Sequence, residues 1–428
     1  MERVKKMKKI FTLIMTVFVL LTVLCVNAFA TTAANEDVVL RVSALKRDDT
    51  TVVLNDYTVF EDGWNKAMEL AINSKEMNDN NYARVIVDIY ADWNAVEGQF
   101  TEDFFNGKGF NWDAIYFQPN VKMTLNLNNN TINRGLTEWE YNGEVMYIDK
   151  GADVIINEGT ITGGYSCNGA GGIHINGANV VLNNVNIVKN SIQDDEGAGI
   201  AVYNGATLTM NGGQISNNYG VVISSTVRGG GIYVDGSEAT LNDVLISDNI
   251  IQDKGNSGSA VCDGAACYAN TDGKLTLNQC TIKNNKADRY GGAICVRNGD
   301  VSINNCTITE NYGDDNGSAV TISGGYCLID NSNVVGNIKA KNKSIFYVLG
   351  GVLQFSNSEY DNDIICSSFG EVILADVSET PVTPGSIFGE GSFTTIISFV
   401  ALITSIVSIG VTIFYNKKKE SFFNKEEE

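Results

Sequence analysis

Residues 291–311 read GGAICVRNGDVSINNCTITEN, and this stretch recurs along the chain with changes of residue but not of pattern. Earlier copies are GGIHINGANVVLNNVNIVKN from Gly171, GAGIAVYNGATLTMNGGQISNN from Gly197 and GGIYVDGSEATLNDVLISDN from Gly230. A copy from Gly258 begins GSAV and continues to GKLTLNQCTIKNN, and the copy from Gly317 reads GSAVTISGGYCLIDNSNVVGN. Self-similarity at a period near 30 residues marks stacked structural units. Within each copy apolar and polar residues alternate, the period of half-buried strands rather than helices. In the copy opening at Gly291 the inward residues fall in three short segments. They are Ile294 with Val296, Val301 with Ile303, and Cys306 with Ile308.

Phasing on the first inward aliphatic after the glycines gives anchors at Met146, Ile173, Ile200, Ile232, Val261, Ile294, Val320 and Phe346, spaced 26 to 33 residues apart. Three strands per turn, joined by Gly and Asn corners and stacked by parallel pairing, predict a right-handed parallel β-helix over 113–377, with about nine coils at roughly 4.8 Å of rise each. A second column supports the phasing. Asn128, Asn157, Asn183, Asn211, Asn242, Asn278 and Asn304, then Asp330 and Ser356, follow the second strand. Asn tolerates left-handed corners, and amides stacked in register bond one another as polar ladders do. This column is structural. The three prolines of the chain are Pro119, Pro381 and Pro384, so none interrupts the ladders between.

The copies resemble the right-handed parallel β-helix family of pectin-lyase-like proteins, closest to adhesin-like bacterial surface repeats of the GGxI…LxNxxIxxN type. The resemblance spans about 63–363. It implies that an amphipathic helix at 64–77 caps the open end of the stack, within an N-terminal region of strands and helix at 31–112. Carbohydrate-active members place their sites on the outer face of the first strand and the loop before it. Here those positions are His174, Ala201, Tyr203, Tyr233, Cys262, Cys295, Arg297 and Thr321, beside the loop acids Asp194, Asp195 and Glu196. The candidate ligand groove is therefore Tyr203, Tyr233, Arg297, Asp194, Asp195 and Glu196. The two tyrosines fit either sugar stacking or cross-strand aromatic packing. No complete catalytic set gathers on one coil, so no catalytic residue is assigned, no metal site and no cofactor; Ca²⁺ at the acid loops is the one ion considered. His174 is the only histidine, which excludes histidine pairs.

The ends of the chain carry targeting patterns. Basic residues at 3–9, an apolar run at 10–26 and Ala28-Phe29-Ala30 predict a signal peptide over 1–30. Residues 393–415 are 23 residues without a charge, followed by Lys417, Lys418 and Lys419. They predict a transmembrane helix with a cytoplasmic tail at 416–428, joined to the rod by a spacer at 378–392. The layout resembles Gram-positive wall-sorting signals but lacks LPxTG. The expected product is a single-pass cell-membrane protein with its bulk outside the cell. With 50 acids against 30 bases, its field disfavours nucleic acid as a partner; an extracellular glycan or host surface is the expected ligand. Adhesion or glycan binding without catalysis leads. A polysaccharide lyase, hydrolase or epimerase, and a passive surface element, are the alternatives. Eight cysteines remain after cleavage. Cys262 and Cys295 form a candidate disulfide on adjacent turns, and Cys280 and Cys306 are expected as free core thiols.

Overall fold

The computed structural model describes residues 37–95, 110–111, 114–255 and 261–375. Between Lys122 and Ala375 the chain winds as a parallel β-solenoid of about nine turns. Each turn's strands pair in register with the next. Val154 lies opposite Val180, Val180 opposite Leu208, Leu208 opposite Ala239, and Ala239 opposite Leu275. Val301 and Cys327 continue that column. All of these side chains point inward and are 2% exposed or less. Each turn thereby buries aliphatics worth about 1.5–3 kcal/mol apiece, and only because a neighbour covers them.

The corners explain why Asn recurs. The residue after each ladder Asn takes a positive φ, as at Glu158, Asn184, Gly212, Asp243, Gln279 and Asn305. That bend lets the second and third strands run on as one element, such as Asp153–Thr162 or Asn179–Val188. Left-handed backbone disfavours β-branched residues and favours Asn, Asp and Gly. The Asn before the bend closes the ladder. Asn183 Nδ2 donates to Asn157 Oδ1 (2.8 Å), Asn211 to Asn183 (2.9 Å), Asn242 to Asn211 (2.9 Å), Asn278 to Asn242 (2.8 Å) and Asn304 to Asn278 (2.9 Å). Asn157 in turn donates to Asn126 at 2.7 Å. Asn126, not Asn128, therefore holds the first rung. The run NLNNN offers Asn at both positions, and Asn128 instead sits at the corner with φ 50°.

Two further features depart from the sequence reading. Seven of the turns have a fourth strand segment, and these stack as a separate seven-stranded sheet. It runs through Tyr165–Ser166, Ser191–Gln193, Tyr219–Val222, Ile250–Asp253, Lys286–Ala287, Tyr312–Gly313 and Ile338–Lys339. Val261 is also not an anchor. Ile232 lies opposite Cys267, and Cys267 opposite Ile294. Val261–Asp263 pairs instead with Thr226–Arg228 as a separate two-stranded sheet outside the main stack. VCD and CYA alternate alike, and only the pairing partner distinguishes them.

The N-terminal residues share the rod's core. Leu40–Lys46 pairs antiparallel with Thr51–Tyr57 and with Tyr82–Ile89, and Tyr82–Ile89 starts the parallel stack on Lys122–Asn126. The helix Phe60–Ile72 buries Trp64, Ala67, Met68 and Leu70. Trp64 meets Phe117 edge-on at 5.0 Å, sealing the open end of the coil interior. A second helix, Ser74–Asp79, buries nothing. At the other end Phe346, Phe355 and Tyr360 pack together, with Phe355 and Tyr360 stacked at 3.9 Å. The expected signal peptide, spacer, membrane span and tail lie outside the described residues. Among the described residues no helix is long and apolar enough to cross a membrane.

Candidate functional site

The outward side of the first strands carries one column of aligned residues. Tyr116 lies opposite Tyr147, Tyr147 opposite His174, His174 opposite Ala201, and Ala201 opposite Tyr233. Tyr268, Cys295 and Thr321 continue it. Ala201 is too small to fill its rung, and Tyr203, two residues on, leans into the space. The rings consequently run unbroken, with centroids 5.9 Å apart for Tyr116–Tyr147, 4.6 Å for Tyr147–His174, 5.2 Å for His174–Tyr203, and 5.5 Å for both Tyr203–Tyr233 and Tyr233–Tyr268. The preceding loops cover one end of this column and leave Tyr116, Tyr147, His174 and Tyr203 partly exposed. Tyr233 is 3% exposed and Tyr268 1%. Desolvation raises the phenol pKa values of Tyr203 and Tyr233. Rings in contact from turn to turn, closed over at Tyr233 and Tyr268, are packing between turns.

A charged column runs beside it. Glu196 bridges to Arg228, Arg228 lies opposite Asp263, and Asp263 bridges to Tyr290. Arg228 Nη1 donates to Glu196 Oε1 at 3.0 Å, and its guanidinium lies 5.7 Å from the Tyr268 ring centre. Burial, with a hydrogen bond to Asp195, pushes the Glu196 carboxyl up to about 8. Burial pushes Asp263 up to about 6 against the pull of Arg289 and Arg228. Glu144 rises to about 8 and His174 falls to about 4, both through burial. His174 Nδ1, Glu144 Oε2 and Asp263 Oδ1 are buried with no protein hydrogen-bond partner. The loop backbone presses on the imidazole so closely that a Cβ at Gly169 would lie 2.2 Å from Nδ1.

The six candidate groove residues separate into groups. Tyr203, Tyr233, Asp195 and Glu196 share one electrostatic neighbourhood. Asp195 Oδ2 accepts from the Gly169 N–H at 2.6 Å. Asp194 turns away and ties down the neighbouring loop, accepting from the backbone N–H groups of Ile223, Ser224 and Ser225. Arg297 stands exposed on the turn of Cys295, three turns from Tyr203. Backbone register puts Cys262 opposite Val227, and Cys295 opposite Tyr268 and Thr321. The candidate disulfide partners therefore do not share a column, because the anchor of that turn is Cys267. Cys295, Cys280 and Cys306 are free thiols. Among the described residues no group of three or more His, Cys, Asp or Glu converges to hold a metal ion.

Sequence reasoning missed a second ladder. Asn190, Asn218, Asn249, Asn285 and Asn311 are fully buried or within 1% of it. Asn249 Nδ2 donates to Ile215 O and to Asn285 Oδ1, both at 2.9 Å, and Asn218 N and Nδ2 donate to Asn249 Oδ1 at 3.0 and 2.9 Å. Its signal was the Asn closing every copy. Ser332 and Ser358 extend the Cys280–Cys306 column as a third ladder: Cys280 N donates to Cys306 Sγ at 3.3 Å, and Cys306 N to Ser332 Oγ at 3.0 Å.

Residues 113–300 match the family model described as right handed beta helix region. No curated protein and no solved structure matches the chain.

Proposed function

Residues 113–300 match the family model of the right handed beta helix region, and from that premise we propose a surface protein that binds glycan or a host surface without catalysis. It is held in the cell membrane through residues 393–415, with its rod outside the cell. The observation that carries the reading is the fate of the first-strand face. Its rings pack on one another, Tyr233 and Tyr268 are closed over at 3% and 1% exposed, and Glu196 and Arg228 are committed to each other. The groove in which carboxylate chemistry would be sought is thus spent on holding loops to the rod. Glycan-array binding of the full chain, run beside a depolymerisation assay on the polysaccharides it retains, tests this. Binding without new reducing ends is the expected result. New reducing ends above background would overturn the non-catalytic reading, and absence of any binding would leave a passive surface element.

One observation favours an enzyme instead. Glu196 and Asp263 flank Arg228 with carboxyl pKa values raised to about 8 and about 6. Two carboxyls held at different values suit an acid and a base for a polysaccharide hydrolase, lyase or epimerase. On that reading Glu196→Gln abolishes any turnover while leaving binding intact; on the favoured one it changes neither.

A further inference from the structure

If the first-strand face is closed, a glycan needs another surface, and the seven-stranded sheet supplies it. The outward residues of this sheet align from turn to turn. Tyr165 lies opposite Ser191, Ser191 opposite Tyr219, Tyr219 opposite Ile250, Ile250 opposite Lys286, Lys286 opposite Tyr312, and Tyr312 opposite Ile338. Glu140 bridges to Ser166, with its N–H on Tyr165 O at 2.9 Å. This sets Trp139 at the head of the same column, where it is 51% exposed. At about 4.8 Å per turn the strip runs roughly 34 Å along the rod. Tyr165, Tyr219 and Tyr312 are partly exposed, and no ring of the strip is buried as Tyr233 and Tyr268 of the first-strand column are.

We propose that this strip is the binding track for an extended, uncharged polysaccharide lying along the rod axis, stacked on Trp139, Tyr165, Tyr219 and Tyr312. The proposal deepens the glycan-binding reading and rests on it. Sugar rings present an apolar face and a rim of hydroxyls, so their sites pair aromatic faces with nearby polar groups. That pairing recurs here. Tyr219 Oη donates to Gln252 Oε1 at 2.8 Å, and Tyr312 Oη to Asp314 Oδ1 at 2.6 Å. The cations on the strip already face a ring or an acid: Lys286 stands 3.6 Å from Asp288 and 5.6 Å from the Tyr312 ring centre, and Lys254 lies 5.3 Å from the Tyr219 ring centre. The net charge of −20 repels polyanions. A protein partner is a poorer fit, because the exposed aliphatics Ile250 and Ile338 are separated by Lys286 and Tyr312 instead of forming one apolar patch.

Affinity electrophoresis of the full chain through gels containing mannan, xylan, hydroxyethylcellulose or polygalacturonate tests the track. Retardation by at least one neutral polymer is expected. Trp139→Ala with Tyr219→Ala should weaken it about tenfold without moving the thermal midpoint by more than a degree or two. Tyr219→Phe, which keeps the ring, should retain most of it, and Arg297→Ala on the first-strand turn should leave it unchanged. Wild-type retardation that survives the double substitution overturns the track but leaves glycan binding standing. Retardation by polygalacturonate alone overturns the uncharged ligand. No retardation in any gel removes both the track and the reading beneath it. A wild-type dimer in sedimentation, lost in the double variant, would assign the strip to a second copy and overturn the proposal.

Discussion

Asn242 and Asn249 stand seven residues apart in one turn and do different work. Asn242 sits in the outer ladder, partly open to solvent, and its amide group bonds only its ladder neighbours above and below. Asn249 is 0% exposed and holds both a core carbonyl and its neighbours' amides. Truncating it strands buried donors and acceptors, each costing about 1–3 kcal/mol. Asn249→Ala should therefore destabilise by about 3 kcal/mol and Asn242→Ala by about 1 kcal/mol. Urea midpoints measure the contrast, and equal shifts would show the inner ladder to be dispensable. His174 provides a second check, because it is the only histidine and its imidazole protons are unambiguous in an NMR titration. Burial lowers its pKa from 6.5 to about 4. The folded state then binds fewer protons than the unfolded one between those values, so the stability that His174 contributes is complete above about pH 6.5 and is lost as pH falls through about 4. A midpoint near 4 is expected. One near 6.5 would mean that the loop at Gly169 does not close over the ring. The outer ladder was legible because an Asn after each second strand has no other explanation at that period. The inner one was written just as plainly, in the last letter of every copy. It went unread because a polar residue at a strand end looks like a solvated corner until coordinates place it at 0% exposure.

At the scale of the strand, alternation tells inward from outward but not covered from open. Tyr203 and Tyr233 both read as outward, yet the first stays partly exposed while loops bury the second. The first-strand groove was thus legible as a location and illegible as an environment, since loop closure depends on contacts between turns. The fourth strand was missed for a related reason. Two-residue elements such as Lys286–Ala287 carry too little alternation to register alone, and only stacking makes them a sheet. The difference in cover has an energetic consequence. Tyr268→Ala empties a packed site and should cost about 3–5 kcal/mol, while Tyr312→Ala should cost under about 1 kcal/mol. Thermal unfolding separates the two. Similar losses would mean that the loops over Tyr268 are open in solution, returning the first-strand face to contention as a ligand groove.

Across the whole molecule, stability and placement are separate questions. Each turn is supported by its neighbours through a continuous core and one or more side-chain ladders, with Trp64 closing one end and Phe355 stacked on Tyr360 near the other. If residues 393–415 are the tether we propose, a chain ending after Val377 keeps every paired strand from Lys122 to Ala375 and loses only its attachment. The full chain should then sediment with membranes and resist carbonate extraction. The truncated chain should appear in the medium with an unchanged thermal midpoint, because the residues removed follow the last paired strand, Gly370–Ala375, in the sequence. Fractionation followed by unfolding of the secreted form reads both halves at once. A full chain that carbonate strips from membranes would remove the tether and leave the rod intact. A truncated chain that unfolds well below the full one would place stabilising contacts beyond residue 377, and the caps described here would not be sufficient to end the stack.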